Sequence, residues 1–112
     1  MLQTNLVHIE TGKELEKILT EKENVMVCCG RMGPMCIPVY FAMEELEDQY
    51  PQITFCDMEF DSPEAQIIKM LPECRGFRGL PFTVYYKKGQ VVAATTSIQS
   101  KEEIKAILDE KF

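Results

Sequence analysis

Cys36 is the residue best placed to do chemistry in this sequence. It follows an apolar strand-like run, Val25-Met26-Val27-Cys28-Cys29, and a glycine and proline turn over residues 30–35, and it opens a long helical pattern. A thiol at a strand-to-helix junction faces the unpaired N–H groups and the positive dipole end of the helix, which favours thiolate over thiol. Cys36 is therefore a candidate nucleophile, against the alternative that it is a small buried hydrophobe. Four more cysteines accompany it: Cys28, Cys29, Cys56 and Cys74. An odd number at irregular spacing does not read as a secreted disulfide framework, so free thiols in a reducing, cytoplasmic setting are expected. Cys28 and Cys29 should point to opposite faces as core thiols, because neighbours on a strand cannot join their sulfurs without distorting the backbone. No C-x-x-C knuckle is present and the only histidine, His8, is remote in sequence, so no metal site is expected. His8 itself reads as a strand-end residue.

A chain of 112 residues suffices for one compact domain, taken as 1–112, whose core needs no staples. The net charge of −6 offers no basic footprint for a phosphate backbone or an anionic membrane surface, so neither nucleic acid nor membrane is an expected partner. Residues 1–8 lack the basic leader and apolar core of a secretory signal, and no run is long enough to span a bilayer. A monomer without a soluble cofactor is the expected state.

The elements that must position Cys36 follow from periodicity. Residues 6–9 predict a first strand, residues 11–14 have capping-box spacing, and Leu15, Ile18 and Leu19 form one helical stripe ending near 20–22. The unbroken apolar run 25–29 predicts a central strand covered on both faces. Val39, Met43, Leu46 and Tyr50 recur at helical spacing up to Pro51, with Glu44, Glu45, Glu47 and Asp48 outward. Residues 53–60 predict a strand with Cys56, Met58 and Phe60 on one side and Phe55, Asp57 and Glu59 on the other. Ser62-Pro63 opens a helix that runs to Met70, and 73–81 reads as a connection rich in glycine and charge. Residues 82–86 and 91–96 form a hairpin, and Ser100 to Glu103 is a second capping box, opening a last helix with Ile104, Ile107 and Leu108 inward. The order β-α-β-α-β-α-β-β-α predicts an α/β fold with a central mixed sheet and helices on both faces.

These residues resemble the thioredoxin family over nearly the whole chain. The stretch Gly76-Phe77-Arg78-Gly79-Leu80-Pro81-Phe82-Thr83-Val84-Tyr85-Tyr86-Lys87-Lys88-Gly89 looks like the family segment that carries a cis-proline before the fourth strand. The strand over 25–29, the helix ending at Tyr50 and Asp61 also fall at family-like spacings. The resemblance implies the thioredoxin fold, and a cis bond at Pro81 beside the redox site, where Leu80 and Pro81 border a groove that pairs with an extended peptide. It further implies thiol–disulfide exchange with a protein disulfide or thiol partner.

The family's two cysteines separated by two residues are absent. Aligned without gaps, Met32-Gly33-Pro34-Met35-Cys36 matches the family's Trp-Cys-Gly-Pro-Cys, and Cys36 becomes the recessed resolving cysteine. With a longer turn and a shorter helix, Cys36-Ile37-Pro38-Val39 takes the motif's place and Cys36 becomes the attacking thiol. Pro38 favours the second arrangement: inside a helix that began near Pro34 it would cost about 3 kcal/mol, whereas in the first turn of one beginning near Ile37 it costs little. A resolving thiol could then come from Cys29, from Cys74 or from an external molecule. The family's buried aspartate falls on Val27 and the lysine opposite it on Asp57. Asp57 is thus a candidate proton acceptor for Cys36, against the reading of a carboxylate in water at a sheet edge.

Three function classes follow. The first is a thioredoxin-like thiol–disulfide oxidoreductase working through Cys36. The second is a redox-inactive binding module that uses the 30–35 turn, with Gly33, Pro34 and Met35 in its centre, and the groove beside Pro81. The third is a glutaredoxin-like role with glutathione or an iron–sulfur cluster, for which Arg31, Arg75 and Arg78 are the main available cations. Fold alone does not choose among them.

Overall fold

The structure, a computed structural model, describes residues 2–112. Strand β1 (Val7–Ile9) is followed by α1 (Gly12–Glu21), β2 (Asn24–Gly30), α2 (Ile37–Leu46) and β3 (Ile53–Glu59). A 3-10 turn at Pro63–Ala65 leads into the short α3 (Gln66–Lys69), and a second at Pro72–Cys74 precedes β4 (Phe82–Lys87), β5 (Gln90–Thr96) and α4 (Lys101–Lys111). The five strands lie in the order β1-β3-β2-β4-β5, with β1, β3 and β2 mutually parallel and β4 and β5 antiparallel. The two residues between β4 and β5, Lys88 and Gly89, both have positive φ (52° and 78°), the backbone that a two-residue hairpin matching the strand twist requires.

Strand β2 lies at the middle of the sheet, and every residue from Val25 to Gly30 is buried. Its side chains alternate between two cores. Met26 and Cys28 join Phe55 and Tyr85 under α2 and α4, where Val39, Tyr40, Met43, Leu46, Ile104 and Leu108 close over them. Val25, Val27 and Cys29 join Cys56, Met58 and Val84 on the other side, covered by Leu15 of α1 and Ile68 of α3. The α/β layering and the opposed orientation of Cys28 and Cys29 therefore follow the sequence pattern.

Three local features differ from it. Helix α2 ends at Leu46 rather than Tyr50: the chain tightens into turns in which the Gln49 and Tyr50 amides both donate to the Leu46 carbonyl. Pro51 then bars a return to helix, since it has no amide to donate and disfavours helical backbone in the residue before it. Tyr50 still packs inward, donating its hydroxyl to Asp109 Oδ1 at 2.6 Å and accepting from Lys105 Nζ at 3.0 Å. At α1, Thr11 Oγ1 accepts from the Glu14 amide at 3.1 Å, but only the Ser100–Glu103 pair completes a reciprocal capping box. The connection after α3 is also not plain loop. Its 3-10 turn packs on β5 and buries Cys74 in the core.

Candidate functional site

The site is built where β2 ends and α2 begins. The Cys36 and Ile37 amides donate to the Gly33 carbonyl at 3.1 and 2.9 Å, so residues 33–36 close one turn before regular helix starts at Ile37. Pro38 accordingly lies in the first turn, where it loses no hydrogen bond. Cys36 is the N-cap residue, and its sulfur accepts from the Arg31 amide at 3.4 Å instead of capping the helix. One helical turn later, the buried Tyr40 donates its hydroxyl to the Arg31 carbonyl at 3.1 Å.

Gly30 supplies the space in which these groups meet. A side chain there would begin 2.8 Å from Cys36 Sγ, 2.8 Å from the Tyr40 hydroxyl and 3.0 Å from Pro81 Cβ. The Leu80–Pro81 peptide is cis. One continuous stretch, from the end of β2 through the turn to the first turns of α2, thus meets a segment distant in sequence, the loop before β4, around one thiol. Arg31 is held from outside by Asp61, through Nε to Oδ2 at 2.8 Å and Nη2 to Oδ1 at 2.7 Å, and its guanidinium lies 5.5 Å from the centre of the Phe60 ring.

Cys36 is only 2% exposed. Burial pushes its thiol above the ordinary value, while the Arg31 amide, the Arg31 charge and the Tyr40 hydroxyl pull it back. This reverses the direction expected from the helix terminus. Desolvation of the charged form outweighs the donors around it, a tertiary effect that local position does not reveal. Burial acts on the other four thiols as well, driving Cys29 and Cys56 up to about 12 and Cys74 to about 11, and raising Cys28. Cys36 is distinguished by two neighbours, Arg31 and Tyr40, that favour its ionised form in three ways.

No family model matches the sequence, and no curated protein matches it. Solved structures do. A thioredoxin from Plasmodium falciparum superposes with a TM-score of 0.77 at 19% identity, over 96% of this chain and 100% of the other. Thioredoxin O2 from Arabidopsis thaliana, in its oxidised state, gives 0.76 at 13% identity over 99% and 97% of the two chains. A cysteine-to-serine mutant of an Entamoeba histolytica thioredoxin gives 0.73 at 20% identity over 94% and 98%. The chain has the thioredoxin fold.

Within the thioredoxin fold, the residues singled out from sequence fall into separate places. Cys36 and Pro81 come together. Gly33, Pro34 and Met35 form the turn beside them, with Pro34 and Met35 exposed, and Leu80 is half-buried next to the cis bond. Cys29 and Cys74 lie in the opposite core, on the α1 and α3 side of the sheet. All five cysteines are unpaired.

Asp57 is neither in water nor bonded to Cys36. It is 1% exposed, accepts a short hydrogen bond from Thr4 Oγ1, and lies 2.7 Å from His8 Nδ1 through Oδ1. The parallel register that sets His8 directly opposite Asp57 joins β1 to β3 and explains the burial. The pair borders a cleft of about 220 Å³ with Leu2, Ile9, Glu10, Glu59 and Ser62. Among the described residues, no group of three or more histidines, cysteines or acidic residues is arranged to hold a metal ion.

Sequence reasoning missed Tyr40 as a neighbour of the thiol and His8 as a partner of Asp57. Tyr40 had a signal, since it is the residue four positions after Cys36 on a helix face that is otherwise aliphatic. His8 had none, because its pairing depends on strand register.

Proposed function

We propose that the protein carries out thiol–disulfide exchange through Cys36 alone, with an external thiol completing the cycle. The ionised Cys36 sulfur attacks one sulfur of a partner protein's disulfide; that bond breaks, a mixed disulfide forms, and the partner's second sulfur leaves as a thiolate that takes up a proton. An external thiolate then attacks the mixed disulfide, regenerating Cys36 and carrying away the partner sulfur as a new disulfide. The observation that supports this best is the close approach at Gly30, where Cys36 Sγ, the Tyr40 hydroxyl and the cis-Pro81 ring crowd one backbone position. The neighbours in fold agree: three are thioredoxins by name, and a fourth, at 16% identity and a TM-score of 0.74, comes from work on thiol resolution of a yeast 1-Cys peroxiredoxin by glutathione and thioredoxin systems. Cys29 and Cys74 pack in the other core, which favours an external resolver over an internal one. Five free thiols suit a reducing compartment such as the cytoplasm.

One observation favours a second reading, the redox-inactive binding module. Cys36 is 2% exposed while Met32 and Met35 beside it are 43% and 44% exposed, so the turn presents more apolar surface than thiol. Incubating the reduced protein with a small aromatic disulfide and mapping the adduct by mass separates the two. Exchange predicts an adduct on Cys36 that is lost completely in Cys36→Ser and kept in Cys29→Ser and Cys74→Ser. A native protein that forms none on Cys36 is a binding module.

A further inference from the structure

Tyr40 has one hydroxyl proton and two acceptors within its reach. The first is the Arg31 carbonyl, to which it donates at 3.1 Å. The second is the Cys36 sulfur: hydroxyl and sulfur both lie 2.8 Å from the point where a Gly30 side chain would begin, and the hydroxyl is among the groups that pull the thiol's proton affinity down. The same residue, Arg31, bonds both of them, offering its amide to the sulfur and its carbonyl to the phenol. Arg31 therefore links Tyr40 and Cys36 through its own backbone, with the hydroxyl and the sulfur both crowding the same side of Gly30.

We propose that Tyr40 is a positioning residue for Cys36, whose hydroxyl turns from the Arg31 carbonyl to the sulfur when the thiol ionises. This rests on the reading of Cys36 as the exchanging thiol. A thiolate accepts a hydrogen bond far more strongly than a neutral thiol or an amide carbonyl does, so the proton is drawn to sulfur only in the charged state. The effect is selective. It stabilises Cys36 when it attacks, and again when it departs as leaving group from the mixed disulfide. No proton is transferred; Tyr40 keeps its own throughout. Burial holds its phenol well above the ordinary value, so it remains a donor over the whole range in which Cys36 titrates. A buried, water-poor pocket makes such a donor matter more, because no solvent is present to take its place.

The test is the pH profile of Cys36 alkylation by iodoacetamide, mapped by mass, in the wild type and in Tyr40→Phe, with the thermal midpoint of each protein recorded alongside. Tyr40→Phe keeps the ring in the core and removes only the hydroxyl. The expected result is a profile moved upward by about one pH unit, which is about tenfold slower reaction below the midpoint, with the high-pH plateau unchanged. A merely structural role would change the thermal midpoint or the plateau and leave the profile's midpoint where it was, and that result overturns the proposal. A second variant, with 3,5-difluorotyrosine placed at position 40, keeps the shape and makes the phenol a stronger donor. It should move the profile downward, and a profile that superposes on the wild type overturns the proposal even if Tyr40→Phe does not fold. A wild-type Cys36 that reacts at no pH in the native protein removes the exchange reading and this one together, whereas a reactive Cys36 with an unmoved midpoint in both variants removes only the role of Tyr40.

Discussion

The two faces of the sheet bury their thiols equally and treat them differently. On the α1 and α3 side, Cys29, Cys56 and Cys74 are at most 2% exposed and packed among Leu15, Val25, Val27, Ile68 and Val84. On the α2 side Cys28 is sealed in the same way, whereas Cys36, buried to the same degree, lies at the mouth of a helix with the Arg31 amide on its sulfur and the Tyr40 hydroxyl beside it. Exposure therefore does not distinguish Cys36 from the other thiols. The difference is the polarity of the wall, since a buried thiolate forms only where donors replace the lost water.

The largest consequence belongs to the α1 and α3 side. Its thiols ionise near 9 in the unfolded chain and at about 11 to 12 in the folded one, so above pH 9 the unfolded state has lost protons that the native state still holds. Stability contributed by these groups is fully present below pH 9 and declines as the pH rises toward 11 or 12. Three such groups together should lose about 2–3 kcal/mol between pH 9 and pH 10. Urea unfolding at the two pH values measures the change, and a flat profile would mean that this core is open to water. Replacing Cys56 by alanine should reduce the pH slope by removing one of the three groups.

A second test breaks Asp57 away from the thiol. Asp57→Ala leaves Thr4 Oγ1 and His8 Nδ1 without their buried partner and should cost about 2–3 kcal/mol in denaturant unfolding. The pH profile of Cys36 alkylation should not move. A shifted profile would give Asp57 back the proton-accepting role that its bonds to Thr4 and His8 argue against.

The third and smallest effect sharpens the site itself. Gly30→Ala places a methyl group 2.8 Å from both Cys36 Sγ and the Tyr40 hydroxyl, forcing them apart at a cost of about 1–2 kcal/mol. Because it separates the thiol from its donor, it should also slow Cys36 alkylation at neutral pH. Unchanged reactivity would show that the sulfur does not depend on that close approach.

Much of this was legible in the sequence where the governing physics is local. Pro38 fixed the start of α2 because a proline tolerates only the first turn, and the apolar run into Cys29 announced a two-sided central strand. Ser100 and Glu103 announced α4 through a capping box that forms in full. What escaped depends on contacts between distant segments. Asp57 reads as a surface carboxyl until β1 lays His8 opposite it, and Cys74 reads as a loop thiol until its 3-10 turn packs on β5. The same holds for Cys36, whose place at a helix terminus promised a favoured thiolate. The burial of the sulfur in the assembled core decides otherwise.

Cys36 is proposed as the exchanging thiol even though it is as buried as its four companions. Alkylation of the native protein across about pH 4 to 9, with mass mapping of every cysteine, tests it directly. The account predicts reaction at Cys36 first, rising toward the alkaline end, with Cys28, Cys29, Cys56 and Cys74 unmodified until denaturant is added. Reaction at Cys29 or Cys74 as fast as at Cys36, or a Cys36 that stays silent until the protein unfolds, would contradict it.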